Sequence, residues 1–373
     1  MVLLPDTIDH TLAAADAALA AQQERRPRAY LGMSAIGDQC ARKLWYEFRW
    51  AAQKDFDSAT LKRFADGHAT EALAVARLKA VDQLELHDVA ADGRQFGFTD
   101  LGGHFRGHMD GVVLGLLQAP KTWHVLEIKA CGEDKLKELE KAKADLGEKL
   151  ALAKWTPTYY AQAVLYMHYA GLDRHYLVAC SPGGRKWTSV RTEADPAEAQ
   201  VLMAKAQKIV HSERPPDRIA GADFYICRWC DFHDLCHDGK PALRNCRTCL
   251  SVTPEPDGCW SCARWDLADI ALDQQKSGCD RHLYVPDLVS GEQIDAGDDW
   301  VKYRLKDGSE WVDKGDQSRS SVRIGENIEH ESCKFCGVVT FEVLPGKGPH
   351  EAGLRCTGCD RHSGWLPKGS LAA

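Results

Sequence analysis

Most of the fifteen cysteines in this 373-residue chain sit in Cys-x2-Cys pairs, and every such pair follows residue 226. Thiols at that spacing present both sulfurs to one ion, so the pattern calls for small metal-stapled folds wherever it dominates. Disulfides are the competing use, but they belong to small secreted chains. The longest apolar N-terminal stretch, Leu12 to Ala21, is interrupted by Asp16 and has no basic run before it. It reads as neither a signal peptide nor a spanning helix. The expectation is a cytoplasmic protein with metal-bound thiolates and no membrane contact.

Upstream of about residue 240 the pattern is that of an α/β core. Residues 6–23 read as a helix that the Arg25-Arg26-Pro27-Arg28 segment breaks, and a second helical start follows near Ser34. Residues 59–81 predict an amphipathic helix, because Phe64, Glu71, Val75 and Leu78 recur at helical spacing. Runs rich in β-formers follow at 103–114 and 123–130, joined by a turn at 115–121. Residues 133–154 carry six Lys and six Asp or Glu, many three or four apart, which predicts a solvated helix or arm. A helix from about Pro157 to Tyr169 and a strand from Arg174 to Cys180 come next. Beyond Lys240, Pro and Gly clusters separate the cysteine pairs, and Asp307-Gly308 signals a hairpin between Val301, Tyr303, Leu305 and Trp311. With 44% hydrophobic and 27% charged residues the composition is globular, neither disordered nor membrane-spanning. The formal charge of −7 supplies no overall basic footprint, so nucleic acid has to be held in a local groove or through metal ions.

Asp110 is followed seventeen residues later by Glu127-Ile128-Lys129 on an expected strand. Alternation puts Glu127 and Lys129 on one face and Leu126, Ile128 and Ala130 on the other. Two carboxylates on adjacent strands make the hard oxygen site that Mg²⁺ or Mn²⁺ prefers. Such an ion generates hydroxide and neutralises charge on a phosphorus under attack. Lys129 can orient or deprotonate the attacking water and stabilise the oxyanion. A lone Glu-x-Lys also occurs as a surface ion pair, so context matters. Glu71 interrupts the apolar stripe of the preceding helix, where an unpaired carboxylate is costly. His68 lies one turn before it, either as a core histidine or as a ligand or substrate contact. Gln162 and Tyr166 share a helical face, with Tyr159 one turn earlier.

In this order Gly67-x3-Glu71, Asp110, Glu127-x-Lys129 and Gln162-x3-Tyr166 resemble the PD-(D/E)xK nuclease superfamily and, within it, the RecB-like branch. Met109 stands where that family usually has proline, and the charged insert after Lys129 lengthens the gap to Gln162. The resemblance implies a restriction-endonuclease-like core, a mixed central sheet flanked by helices. It also implies a metal site at Glu71, Asp110 and Glu127, catalysis by these residues with Lys129 and His68, and a DNA groove lined by Gln162, Tyr166 and Tyr159. Cys40, heading Cys40-Ala-Arg-Lys-Leu-Trp-Tyr, and the trio Cys227-x2-Cys230-x5-Cys236 resemble the cluster pattern of AddB-type and CRISPR-associated RecB-like nucleases. That likeness implies a [4Fe–4S] cluster clasping the first and last parts of the nuclease domain. Spacing alone would equally suit zinc at these four positions, or a merely buried Cys40.

Cys333-x2-Cys336-x19-Cys356-x2-Cys359 has zinc-ribbon spacing. A second zinc group draws on Cys246 and Cys249, completed by Cys262 and Cys279, with Cys259 and His282 as alternates. Cys131 and Cys180 lack partners in spacing and are expected in the core. The expected organisation is a nuclease domain over 1–240, a cysteine-rich zinc module over 241–290, a hairpin region over 291–330 and a zinc ribbon over 331–373. The part beyond Lys240 is then an accessory module that contacts DNA or a protein partner. The function expected is a Mg²⁺- or Mn²⁺-dependent deoxyribonuclease, an exonuclease on single-stranded or end-containing DNA in recombination, replication or repair, in a phage or mobile-element setting. The alternatives are a non-catalytic nucleic-acid-binding adaptor on a nuclease-like scaffold, and RNA as substrate.

Overall fold

A computed structural model describes residues 9–23, 27–314, 327–345 and 350–367. Asp9 accepts the amide hydrogens of Thr11 and Leu12 and so caps the first helix, His10–Ala21 (α1). The expected start at Asp6 and the break at Arg25-Arg26 lie outside the described residues. A two-residue strand, Leu31–Gly32 (β1), leads through one 3-10 turn to Ala41–Phe48 (α2). Asp57 caps Ser58–Lys79 (α3), whose buried side is Thr70, Ala74, Val75 and Leu78. Glu71 sits half-buried at the rim of that stripe, and Phe64 is exposed rather than part of it.

The strands Glu85–His87 (β2), Gly97–Asp100 (β3), Phe105–His108 (β4), Gly111–Leu114 (β5) and His124–Ala130 (β6) follow. Then come two helices, Glu133–Leu146 (α4) and Glu148–Trp155 (α5), separated at Gly147 by a φ of 80°. Pro157 opens the next helix, Pro157–Ala170 (α6), and Gly171 closes it at φ 64°. Arg174–Cys180 (β7), Trp187–Glu193 (β8) and Pro196–His211 (α7) complete this part.

The five-stranded sheet runs β2-β5-β6-β7-β8, with β6 and β7 parallel and the other neighbours antiparallel. This is a mixed sheet flanked by helices. Ala74, Val75 and Leu78 of α3 cover Val113, Leu126, Ile128 and Val178 on one face. The other face meets α4, α5 and α6 through Leu136, Leu139, Ala142, Leu152 and Ala163 against Leu177, Ala179 and Val190. With both faces covered, β6 is buried from His124 to Ile128.

The charged stretch after Lys129 is therefore helical, as expected, but solvated on one side only. Its ion pairs, among them Lys135–Glu138 and Lys141–Asp145, lie on the outer side. Leu136, Leu139 and Leu152 meanwhile reach into the core. The charge count hides a leucine face three residues in period.

A short helix, Tyr225–Arg228 (α8), precedes a tail built of small sheets. Val252–Pro254 (β9) pairs with Trp260–Cys262 (β10), and one turn of helix, Leu272–Ser277 (α9), follows. Gly291–Gly297 (β11), Trp300–Leu305 (β12) and Glu310–Asp313 (β13) form an antiparallel sheet. Its Asp307-Gly308 turn has Gly308 at φ 83°, as the sequence expects. Asn327–Glu329 (β14), Thr340–Pro345 (β15), His350–Cys356 (β16) and His362–Pro367 (β17) make the last sheet.

The main core does not stop at Lys240. Cys249, Val252, Trp260, Cys262, Ile270, Val285 and Leu288 belong to the same cluster as Leu44, Trp45 and Phe48 of α2. Segment 241–290 is thus packed into the α/β core rather than appended to it. Among the described residues no helix is long and apolar enough to cross a membrane.

Candidate active site

Four of the residues singled out from sequence meet at the end of β6. The ladder between β5 and β6 closes at Gly111 opposite Leu126. One step further the Asp110 side chain takes over, its Oδ2 accepting the Ile128 amide hydrogen at 2.7 Å. That bond fixes Asp110 beside Glu127. The Glu127 carboxylate, 3% exposed, accepts from the Lys129 ammonium and, at 2.9 Å, from Gln162 Nε2, both on Oε1. Its Oε2 is buried with no hydrogen-bond partner in the protein.

The electrostatics follow from this crowding. Burial raises Glu127 to about 7, and the neighbouring Asp110 carboxylate adds to that while Lys129 opposes it. Burial likewise raises Asp110, against Lys129 and the Ile128 amide. Glu71 is raised by burial and then by Asp110, while Lys129 and His68 pull the other way. Burial works against the Lys129 ammonium, but Glu127 and Asp110 outweigh it and hold the lysine above its ordinary range. The Tyr159 ring lies 5.1 Å below that ammonium. His68 is exposed on α3, so it is neither a core histidine nor a buried ligand, and it acts on Glu71 through charge.

The expectation that Gln162 and Tyr166 line a substrate groove is corrected by their burial. They are 3% and 1% exposed, within a run of buried residues on α6. Gln162 holds Glu127. Tyr166 packs on Phe98, and burial pushes its phenol up to about 12. From Ala161 to Met167 the helix is covered on all sides and offers no face to DNA, and a lone pair of polar positions did not reveal that. Half-buried Tyr159 remains at the rim.

All fifteen cysteines are free thiols. Cys40, the N-cap of α2, has its sulfur 3.4 Å from the Lys43 amide. It lines one pocket together with Cys227, Cys230 and Cys236, whose other walls include Arg42, Lys43, Tyr46, Arg218 and Phe232. The cationic wall was missed from sequence, although Arg42 and Lys43 lie in the first turn of the helix that Cys40 caps. Cys131, directly after β6, lies beside Cys180 at the end of β7, the Cys131 amide donating to the Cys180 carbonyl at 2.8 Å.

Among the described residues, Cys333, Cys336, Cys356 and Cys359 form the one group whose donor atoms all lie within 4.8 Å of one another. The Cys333 and Cys359 sulfurs are 3.8 Å apart and those of Cys336 and Cys356 3.4 Å, the separations of ligands on one tetrahedral ion. The carboxylates of Glu71, Asp110 and Glu127 gather more loosely than that. In the other cysteine group, burial pushes the Cys246 thiol up to about 12, with Cys279, Cys249 and Cys262 adding to the effect. The two alternates have partners outside that group, although the buried His282 Nδ1 has none. Cys259 sits against Asp257 and Asp269, and His282 Nε2 lies 3.1 Å from Thr248 Oγ1.

No protein-family profile and no curated protein matches the chain. Solved structures overlap it slightly. SSO0001 superposes with a TM-score of 0.34 at 14% identity, over 61% of this chain and 94% of its own. LHK-Exo in complex with dAMP gives 0.34 at 16%, over 53% and 90%. The alkaline exonuclease LHK-Exo from Laribacter hongkongensis gives 0.35 at 15%, over 52% and 90%. Overlap this slight assigns no chemistry, which has to be read from the residues themselves.

Proposed function

We propose that this chain is a divalent-metal-dependent deoxyribonuclease, an exonuclease acting on single-stranded or end-containing DNA. The observation that carries the reading is the buried Glu127 Oε2, a carboxyl oxygen with no protein partner, beside Asp110 and Lys129. A carboxylate oxygen held that way is costly unless a cation meets it. The all-oxygen set of Asp110, Glu127 and the rim residue Glu71 suits Mg²⁺ or Mn²⁺. Bound there, such an ion supplies a polarised water and neutralises charge on the attacked phosphate. Gln162 fixes the Glu127 rotamer, and the Ile128 amide fixes Asp110. Lys129, held protonated by two carboxylates, stabilises the developing oxyanion and is poorly suited to accept a proton.

Cys40, Cys227, Cys230 and Cys236 hold a [4Fe–4S] cluster in this reading. Their pocket joins a helix N-terminus with Arg42 and Lys43, an environment that favours an anionic thiolate cluster. Cys333, Cys336, Cys356 and Cys359 hold zinc.

The test incubates the full-length protein with end-labelled single-stranded, duplex and circular DNA, and with RNA, in Mg²⁺, Mn²⁺ or EDTA. Linear DNA is expected to be degraded only with metal, and circular DNA to be spared. Absence of metal-dependent cleavage on every substrate would overturn the proposal.

A further inference from the structure

Two guanidinium groups lie buried side by side where segment 241–290 enters the core. Arg49 is 2% exposed and Arg247 1%. Arg49 donates to the carbonyls of Arg247 and Ser212 at 3.1 Å each, and Arg247 donates to the Phe48 carbonyl at 3.0 Å and the Gln275 amide oxygen at 2.9 Å. Every acceptor among these is neutral. The Trp260 ring faces both groups, at 5.2 and 4.4 Å, and Trp50 lies 3.7 Å from Arg247. Arginine cannot shed its proton; the exposed Glu213 offsets Arg49, but Arg247 meets burial and the like charge of Arg49, so the pair calls for a further counter-charge.

The cysteines beside Arg247 can provide it. Cys246 and Cys249 bracket the 3-10 turn that contains Arg247, with the Cys249 amide on the Cys246 carbonyl at 3.0 Å. Cys262 ends β10 opposite Val252, three residues from Cys249. Cys279 follows Gly278, which lies so close to the turn that a methyl group there would stand 3.3 Å from the Asn245 Cα. The Cys246 sulfur reaches the Gln274 carbonyl, at 3.4 Å, from the same side. The four cysteines therefore surround the turn that carries the buried arginine, their sulfurs spaced more widely than those of the last ribbon.

We propose that Cys246, Cys249, Cys262 and Cys279 bind one zinc-type divalent ion as a tetrathiolate, and that this centre is the counter-charge for Arg247 and Arg49. Binding releases the thiol protons to solvent, and four thiolates on one divalent ion leave a net charge of about −2, matching the two guanidiniums. The centre is then a pin of the core rather than a module of its own. The strand pair it anchors also presses on the turn before β4. The His104 ring nitrogen meets the Glu255 carbonyl at 2.9 Å, and a side chain at Gly102 or Gly258 would collide with the opposing backbone.

The test reads metal and melting, so its outcome is independent of whether the protein cleaves DNA. Zinc and iron are counted in the full-length protein and in Cys279→Ser and Cys336→Ser. Two zinc ions per chain are expected in the wild type and one in each variant, with the core melting transition lowered only by Cys279→Ser. Arg247→Met should speed chelator extraction of one zinc about tenfold, whereas Arg247→Lys should not. In a Cys279→Ser background Arg247→Met should recover part of the lost melting temperature, because the uncompensated charge is gone. Should Arg247→Met not fold, cobalt(II) reconstitution of the wild-type chain still decides. Two tetrathiolate equivalents support the site and one overturns it. Retention of both zinc ions by Cys279→Ser, or an unchanged zinc release rate in folded Arg247→Met, likewise overturns the proposal.

Discussion

Gln162 holds Glu127: its side-chain amide donates to Oε1 at 2.9 Å from the covered middle of α6 and leaves Oε2 free. This is positioning rather than substrate contact. Gln162→Ala is expected to lower kcat about 10-fold to 100-fold with DNA affinity nearly unchanged. Steady-state cleavage beside a DNA-binding titration checks the split, and a loss confined to affinity would return Gln162 to the substrate surface.

Asp110→Asn and Lys129→Ala remove charge directly at the candidate reaction centre. Each should reduce cleavage on the order of 10³-fold while the melting transition persists. Wild-type cleavage by Asp110→Asn in Mg²⁺ would disprove the site.

The raised Glu127 has a thermodynamic consequence. Its folded value, about 7, exceeds the ordinary 4.5, so between those pH values the folded chain binds the proton that the unfolded chain has lost. Its contribution therefore declines as pH rises through the window, by up to about 1.4 kcal/mol per pH unit, without metal. The buried histidines act with the opposite sign. Burial lowers His104 to about 4 and His175 and His282 to about 3, so their contribution is lost as pH falls below 6.5. Melting of wild type minus Glu127→Gln across pH 4.5 to 7.5 in EDTA isolates the carboxylate. The difference should move against the wild type as pH rises and shrink when Mg²⁺ is added.

Anaerobically purified protein is expected to be brown and to contain iron. Cys227→Ala, which removes a buried thiol, should bleach it and lower the melting temperature. Colourless, iron-free protein after anaerobic reconstitution would eliminate the cluster.

A chain ending at Lys240 exposes Phe48 and Arg49, which segment 241–290 covers. It should be insoluble or lack a cooperative melting transition, whereas a chain ending at Lys314 should keep one. A soluble, cooperatively melting 1–240 fragment would restore the accessory-module reading.

The strand bearing Glu127 and Lys129, the helices around Glu71 and Gln162, the Asp307-Gly308 hairpin and the thiol spacing of the last ribbon are all written in local pattern. Periodicity and ligand spacing act within a few residues, and there the sequence suffices. The leucine face of α4 and α5 was also present, at spacing three, but masked by the balance of charges.

Other features arise from residues far apart in the chain. Burial of Tyr166 needs β3 and β4 laid over α6, and exposure of His68 depends on what fails to cover α3. The meeting of Arg49 with Arg247 joins two segments about two hundred residues apart. Sequence by itself determined which groups this chain carries and in what local order. Only the tertiary structure decided which of them are desolvated and which charges they face, because burial and electrostatic pairing are properties of packed neighbours rather than of the chain.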